Sequence, residues 1–190
     1  MNSAQFLIAV FHASGGGIQG RTLLQKRAFF VQRLSGVDPG LGYDAHYYGP
    51  YSSTVDNTIE QLKNLGFVRE ETNDFGVMSG GFEMRRYDYR LTPQGQQVAQ
   101  TLSAMPEFQR VEDSVRRIEQ AGNPDYIELS IAAKAFFILQ RQKRPMSVAD
   151  ITKEAERFNW NIGEHSVAKA VGFLKSVGLT TESAAAPPIA

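Results

Sequence analysis

Two stretches decide the fold: Leu62-Lys63-Asn64-Leu65-Gly66-Phe67 and Tyr89-Arg90-Leu91-Thr92-Pro93-Gln94-Gly95. The first closes a helix. Val55, Ile59, Leu62 and Leu65 recur at helical spacing, as residues facing a core do, and Gly66 supplies the left-handed cap that ends it. The second passes from a strand into another helix. Tyr87, Tyr89 and Leu91 point one way and Arg86, Asp88 and Arg90 the other. Thr92 then caps a helix whose first position is Pro93. Between the two stretches, residues 67–72 and 82–91 read as strands around a flexible loop, 73–81.

Working towards the N-terminus, the helix that Gly66 ends begins at Ser52 or Ser53, with serine as its cap. Tyr43 to Tyr51 is aromatic and turn-forming, expected to pack the second helix on the third. That second helix starts at Thr22, where Thr22-Leu23-Leu24-Gln25 fits a capping box, and runs to about Leu34 before Ser35-Gly36-Val37-Asp38-Pro39-Gly40 breaks it. Residues 5–13 form a short buried helix that stops at Ser14-Gly15-Gly16-Gly17, read as a turn.

Beyond Leu102, residues 106–120 form a linker helix with Phe108, Val111, Val115 and Ile118 on one stripe. Ala121-Gly122-Asn123-Pro124-Asp125 marks a boundary, and helices follow over 129–141, 147–158 and 164–177. Leu174-Lys175-Ser176-Val177-Gly178-Leu179 repeats the pattern of residues 62–67, so the chain reads as two small domains of one type. The expected division is a first domain over 1–104, a linker helix and hinge over 105–125, a second helix-turn-helix-like domain over 126–183 and a disordered tail over 184–190.

Composition limits the function. Lys plus Arg number 20 and Asp plus Glu number 20, so the formal net charge is zero, against a protein that coats nucleic acid through a basic excess. There are no cysteines, which removes disulfides, thiol catalysis and thiolate metal sites. The longest apolar run, residues 6–11, is too short to span a bilayer. A cytoplasmic protein without a membrane partner is expected.

Helix, helix, helix, glycine stop, hairpin and Thr-Pro capped helix is the order of a winged helix-turn-helix, mainly α with a small β-hairpin wing. The stretch from Tyr89 to Gly95 resembles the junction after the wing in MarR-like and PadR-like regulators. Gly20-Arg21-Thr22-Leu23-Leu24-Gln25-Lys26, Tyr48-Gly49-Pro50-Tyr51-Ser52 and residues 62–68 are similar to a family of uncharacterised prokaryotic proteins of YwgA type. The Leu-Gln-Lys and Gly-Pro segments also resemble the Panacea antitoxin domain. The likeness covers roughly residues 5–102. It implies a third helix in the major groove, a wing at a flanking groove and helix N-termini on phosphates.

Carried onto this chain, the resemblance implies base contacts from the exposed face of the third helix, Ser53 and Asn57 foremost, with Gln61 and Asn64 beyond. Asn and Gln can pair with adenine in bidentate fashion. Arg21, Lys26 and Arg27 would meet phosphates, and Arg85, Arg86 and Arg90 would act from the wing. In the second half Lys143, Arg144 and Lys169 are the candidates, within a run from Lys134 to Arg144 that contains no acid. Against DNA, Asp56 and Glu60 leave the third helix with a net charge of minus one, since Lys63 is its one cation.

Two functions follow. The first is double-stranded DNA binding by a non-catalytic transcriptional or accessory regulator. The Phe108 stripe packs either back on the first unit or against a second copy, and in the latter case the regulator would be a homodimer. The second is a protein-interaction module, antitoxin-like or a subunit of a larger assembly, using the acidic third helix and the aromatics from Tyr47 to Tyr51. DNA gains if Arg21, Lys26, Arg85 and Arg86 share a face; a protein partner gains if acids and tyrosines dominate it. No cofactor or metal is expected, because His12, His46 and His165 lack ligand spacing. Gly15-Gly16-Gly17 lacks the Gly-Lys-Ser/Thr of a phosphate loop. Asp44 and His46 sit in an aromatic turn rather than an acid–base site, and Trp160 reads as core.

Overall fold

The computed structural model describes residues 1–77 and 83–180; for 74–77 and 83–85 it describes the backbone alone. The described residues form eight helices and one small sheet: α1 Ser3–Ala13, β1 Gly17–Gln19, α2 Arg21–Ser35, α3 Ser53–Asn64, β2 Val68–Val77, β3 Glu83–Leu91, α4 Pro93–Leu102, α5 Pro106–Gln120, α6 Tyr126–Gln142, α7 Val148–Glu156 and α8 Glu164–Ser176. They group into two compact units. Residues 1–42 and 52–116 form the first; Tyr43–Tyr51 joins the chain from Arg117 onwards in the second.

In the first unit the sheet is antiparallel with strand order β1-β3-β2. Gly17 therefore opens a strand, correcting its assignment to a turn; the strand has three residues, too few to show a period in sequence. Residues 73–77, expected in the loop, belong instead to β2, with Asn73 opposite Arg86 and Asp74 opposite Arg85, while 78–82 lie outside the described residues. Helix α1 is apolar along one continuous run, and residues 6–11 are all buried. It packs on α3 and α4.

The two deciding stretches touch each other. At the end of α3 the Phe67 amide donates to the Leu62 carbonyl and the Gly66 amide to the Lys63 carbonyl, with Gly66 at φ 74. This is a Schellman closure. Thr92 then caps α4 by accepting from the Gly95 amide, while its own hydroxyl donates to the Gly66 carbonyl at 2.6 Å and its amide to the Phe67 carbonyl. Gly95 lies so close to the Phe67 carbonyl that a Cβ there would be 2.1 Å from its oxygen. Leu65, expected in the core, is instead 65% exposed, because the closure turns it outwards.

The start of α2 departs from expectation. Gly20, at φ 93, precedes Arg21, and no side chain caps the helix. Thr22 does not form a capping box; Gln25 is drawn away to the backbone of Ser52.

In the second unit α6, α7 and α8 pack pairwise. Asp125 and Ser147 cap the first two through complete capping boxes. Leu179 and Gly178 repeat the Schellman closure at the end of α8, their amides donating to the Leu174 and Lys175 carbonyls. The echo between residues 62–67 and 174–179 is thus one helix-ending device used twice. Trp160 is buried, and its indole N–H donates to the His46 carbonyl at 2.7 Å. The turn Tyr43–Tyr51 consequently packs with this unit, correcting its expected place between the second and third helices. Residues 184–190 lie outside the described residues.

Candidate functional site

Helix α3 begins at Ser52, whose hydroxyl accepts from the Val55 amide. Val55, Thr58, Ile59 and Leu62 are buried, which leaves Ser53, Asn57, Glu60, Gln61 and Asn64 in solvent. The face expected to read bases is therefore the exposed face. Its acids are engaged. Asp56 accepts from Gln25 Nε2 at 2.8 Å and lies 3.8 Å from Arg21 Nη1. Lys63 holds Glu60 at 3.0 Å and reaches Glu70 of β2 at 3.1 Å. Burial opposes the charge on Lys63, yet these two carboxylates raise its pKa above the ordinary value.

Arg21 stands at the first position of α2, half-exposed. Its Nε–H points to the Tyr89 hydroxyl at 3.4 Å, and its guanidinium lies 5.8 Å from the centre of the Tyr87 ring. The contact with Tyr89 is the main cause of a raised Arg21 pKa, while burial raises that of the Tyr89 hydroxyl. Arg21 thus keeps its charge and ties α2 to α3 and β3.

Two expected phosphate contacts are corrected. Lys26 is 2% exposed and Arg27 9%, so neither ammonium nor guanidinium is presented to a ligand. Arg27 donates to the Ser14 hydroxyl at 3.0 Å. Their neighbours Leu24 and residues 28–31 are also buried, because α2 is covered on several sides. On β3, Arg86 makes a bidentate bond with Asp88 at 2.8 and 2.9 Å, and Asn73 of β2 donates to the same carboxylate. Asp88 is buried. Arg86 belongs to the face of β3 opposite Tyr87 and Tyr89, the two residues that Arg21 meets. The side chain of Arg85 lies outside the described residues. Arg69 and Arg90 both pair with Glu71, at 3.0 and 3.6 Å.

The second unit differs. Lys143, Arg144 and Lys169 are exposed, and none forms an ion pair among the described residues. Lys143 ends α6 in the left-handed conformation, at φ 49. Lys169 lines a cleft of about 560 Å³ between α6 and α8, with Ile127, Ile131 and Phe173 among its walls. Lys134 is half-buried against Trp160, 5.6 Å from the ring centre, and desolvation lowers its pKa.

The chain is similar to a bacterial relative. Over 89 residues it is 39% identical to "Uncharacterized protein YwgA" of Bacillus subtilis (strain 168). The match takes in 47% of this chain and 49% of YwgA, so the chain spans about half the length of the curated relative it matches. No family model matches the chain.

The remaining candidates carry no site. His12 packs on Phe108 and lies 3.7 Å from Glu112, and His46 lies against Tyr51. No group of three or more His, Asp or Glu able to hold a metal occurs among the described residues. Nor is any described helix long and apolar enough to cross a membrane. The stripe expected to pack back on the first unit or against a second copy, Phe108, Val111, Val115 and Ile118, is buried within the single chain.

Proposed function

We propose that the first unit is a winged helix-turn-helix that binds double-stranded DNA, with α3 in the major groove and the β2–β3 hairpin as wing. The protein would then act as a non-catalytic transcriptional or accessory regulator in a prokaryotic cytoplasm. The order α1-β1-α2-α3-β2-β3 supports the fold, since β1 pairs with β3 where a winged helix requires a third strand. One observation carries the function. Helix α3 turns Ser53, Asn57, Gln61 and Asn64 to solvent while Gln25 and Arg21 hold Asp56. Amide side chains on an exposed helix face suit the donor and acceptor pattern of adenine. Phosphate contacts would come from Arg21, Arg69 and Arg90 of the same unit.

A second function, a protein-interaction module, draws on a different observation. Lys26 and Arg27 are buried, Arg86 is held by Asp88, and Leu65 stands exposed beyond the end of α3. Fluorescence anisotropy with mixed duplex fragments, titrated from low to physiological salt, separates the two. Micromolar or tighter binding with a steep salt dependence supports DNA. In that case Asn57→Ala relaxes sequence preference with little change in the salt slope. No binding to duplex at low salt overturns the regulator and leaves the protein partner.

A further inference from the structure

The second unit carries a surface that the α3 proposal does not use. Its turn, Tyr43–Tyr51, is held at both ends and in the middle. Asp44 and Tyr51 exchange backbone hydrogen bonds of 3.0 Å, and the Trp160 indole donates to the His46 carbonyl. Gly49, at φ 92, lies against the Lys134 side chain and the Ser130 carbonyl, where a Cβ would be 3.0 Å from Lys134 Cγ. Only a glycine accepts both the positive φ and that approach. This anchored turn nevertheless leaves Tyr47 and Tyr48 68% and 59% exposed, their rings edge to face at 5.0 Å.

From the turn a row of rings runs to a row of cations. Trp160 stacks on Phe158 at 4.7 Å, and Phe137 lies edge-on to both at 5.9 Å. The Arg141 guanidinium lies 5.6 and 5.8 Å from the centres of Phe137 and Phe158. Lys143 and Arg144 follow. All three cations are exposed and form no ion pair among the described residues. Of the neighbouring acids, Asp150 is held first by Ser147, with Arg144 and Lys153 adding weaker attraction, and Gln142 and Arg157 hold Glu154. In the first unit, by contrast, Arg21, Arg69, Arg86 and Arg90 all have carboxylate partners.

We infer that this surface binds unpaired nucleic-acid strands, with Tyr47 and Tyr48 stacking on bases and Arg141, Lys143 and Arg144 meeting phosphates. Exposed rings on the same unit as exposed cations that form no ion pair suit a single strand, because every base has a face to stack and every linkage a charge. A duplex keeps its base faces stacked inside and leaves the tyrosines without a partner. An acidic peptide would use the cations but not the rings. The inference is independent of the α3 proposal.

The test is anisotropy of a labelled oligothymidylate with the full-length protein, beside a duplex control. The protein is expected to bind the single strand with a clear salt dependence. The double substitution Tyr47→Ala, Tyr48→Ala should weaken that binding roughly ten- to a hundredfold and leave duplex binding unchanged. Both tyrosines are exposed, and an unchanged circular dichroism melt confirms that the variant folds. Lys143→Ala with Arg144→Ala should weaken binding and flatten the salt slope by roughly one to two units. No binding of the oligothymidylate at low salt overturns the inference. So does a tyrosine variant that binds as well as the parent, since phosphate contact alone is not this site.

Discussion

Gln25 and Ser52 are joined by two hydrogen bonds of opposite sense: Gln25 Nε2 donates to the Ser52 carbonyl at 2.9 Å, and its Oε1 accepts from the Ser52 amide at 3.0 Å. Both residues are buried. One amide side chain thus engages both backbone polar groups of the residue that caps α3, and a third bond from Gln25 Nε2 to Asp56 holds the helix's first turn. Ser52 is held from behind by α2 while its hydroxyl caps the helix ahead. The start of the proposed recognition helix is set by a residue 27 positions earlier in the chain.

Removing that clasp should be costly. Gln25→Ala loses three hydrogen bonds and leaves a buried peptide unsatisfied, an effect of about 2–4 kcal/mol. Urea unfolding should show a lower midpoint with an unchanged slope. A loss under about 0.5 kcal/mol would mean that the clasp follows from α3's position rather than fixing it.

Two glycines should respond in opposite directions. Gly95→Ala drives a methyl into the Phe67 carbonyl and should destabilise the protein by about 3 kcal/mol, the upper part of the overpacking range. Gly172 is exposed on α8, and a Cβ there would meet nothing within 4 Å. Gly172→Ala should stabilise by about 0.5–1 kcal/mol through helix propensity alone. Thermal melts of both variants measure the contrast.

The β2–β3 pair should depend on Asp88. Its carboxylate accepts from Arg86 and from Asn73, which stand opposite each other on β3 and β2. Asp88→Ala should cost about 2 kcal/mol, the scale of bonds to charged groups. Amide exchange should quicken in β2 and β3 ahead of α1, and uniform protection would refute a local role.

Lys134 gives a prediction in pH. Desolvation lowers its pKa in the folded protein, so the folded state gives up its proton at a lower pH than the unfolded chain. Between those two values the unfolded chain binds more protons, and stability rises with pH across that window, up to about the ordinary lysine value. Lys134→Met removes the contribution. Other titrations are common to both proteins, so the parent should gain on the variant as pH rises from neutral, by denaturant titration at each pH. A constant difference would place Lys134 in full solvent contact.

Much of the molecule is written locally. Ser52, Thr92 and Ser147 announce the helices they cap, and Gly66 and Gly178 announce where α3 and α8 end, because caps and Schellman closures form between residues a few positions apart; Asp125, read as a boundary before a helix at 129, caps one that starts at Tyr126. The exposed face of α3 follows from the same local period, which returned Ser53, Asn57, Gln61 and Asn64 correctly. The sequence by itself therefore determined which segments are helical and which α3 residues reach solvent. Tertiary structure decided the rest. Strand β1 exists only because β3 lies beside it. Gln25 leaves a plausible capping box at Thr22 because Ser52 offers two buried bonds where the cap offers one. Lys26 and Arg27 carry charge, as any basic segment does, but packing on several sides of α2 hides them. Tyr43–Tyr51 joins the second unit through Trp160, a residue more than a hundred positions away. Local pattern fixes conformation and period; burial and pairing depend on which distant surfaces arrive, and they settle which charges remain free to bind.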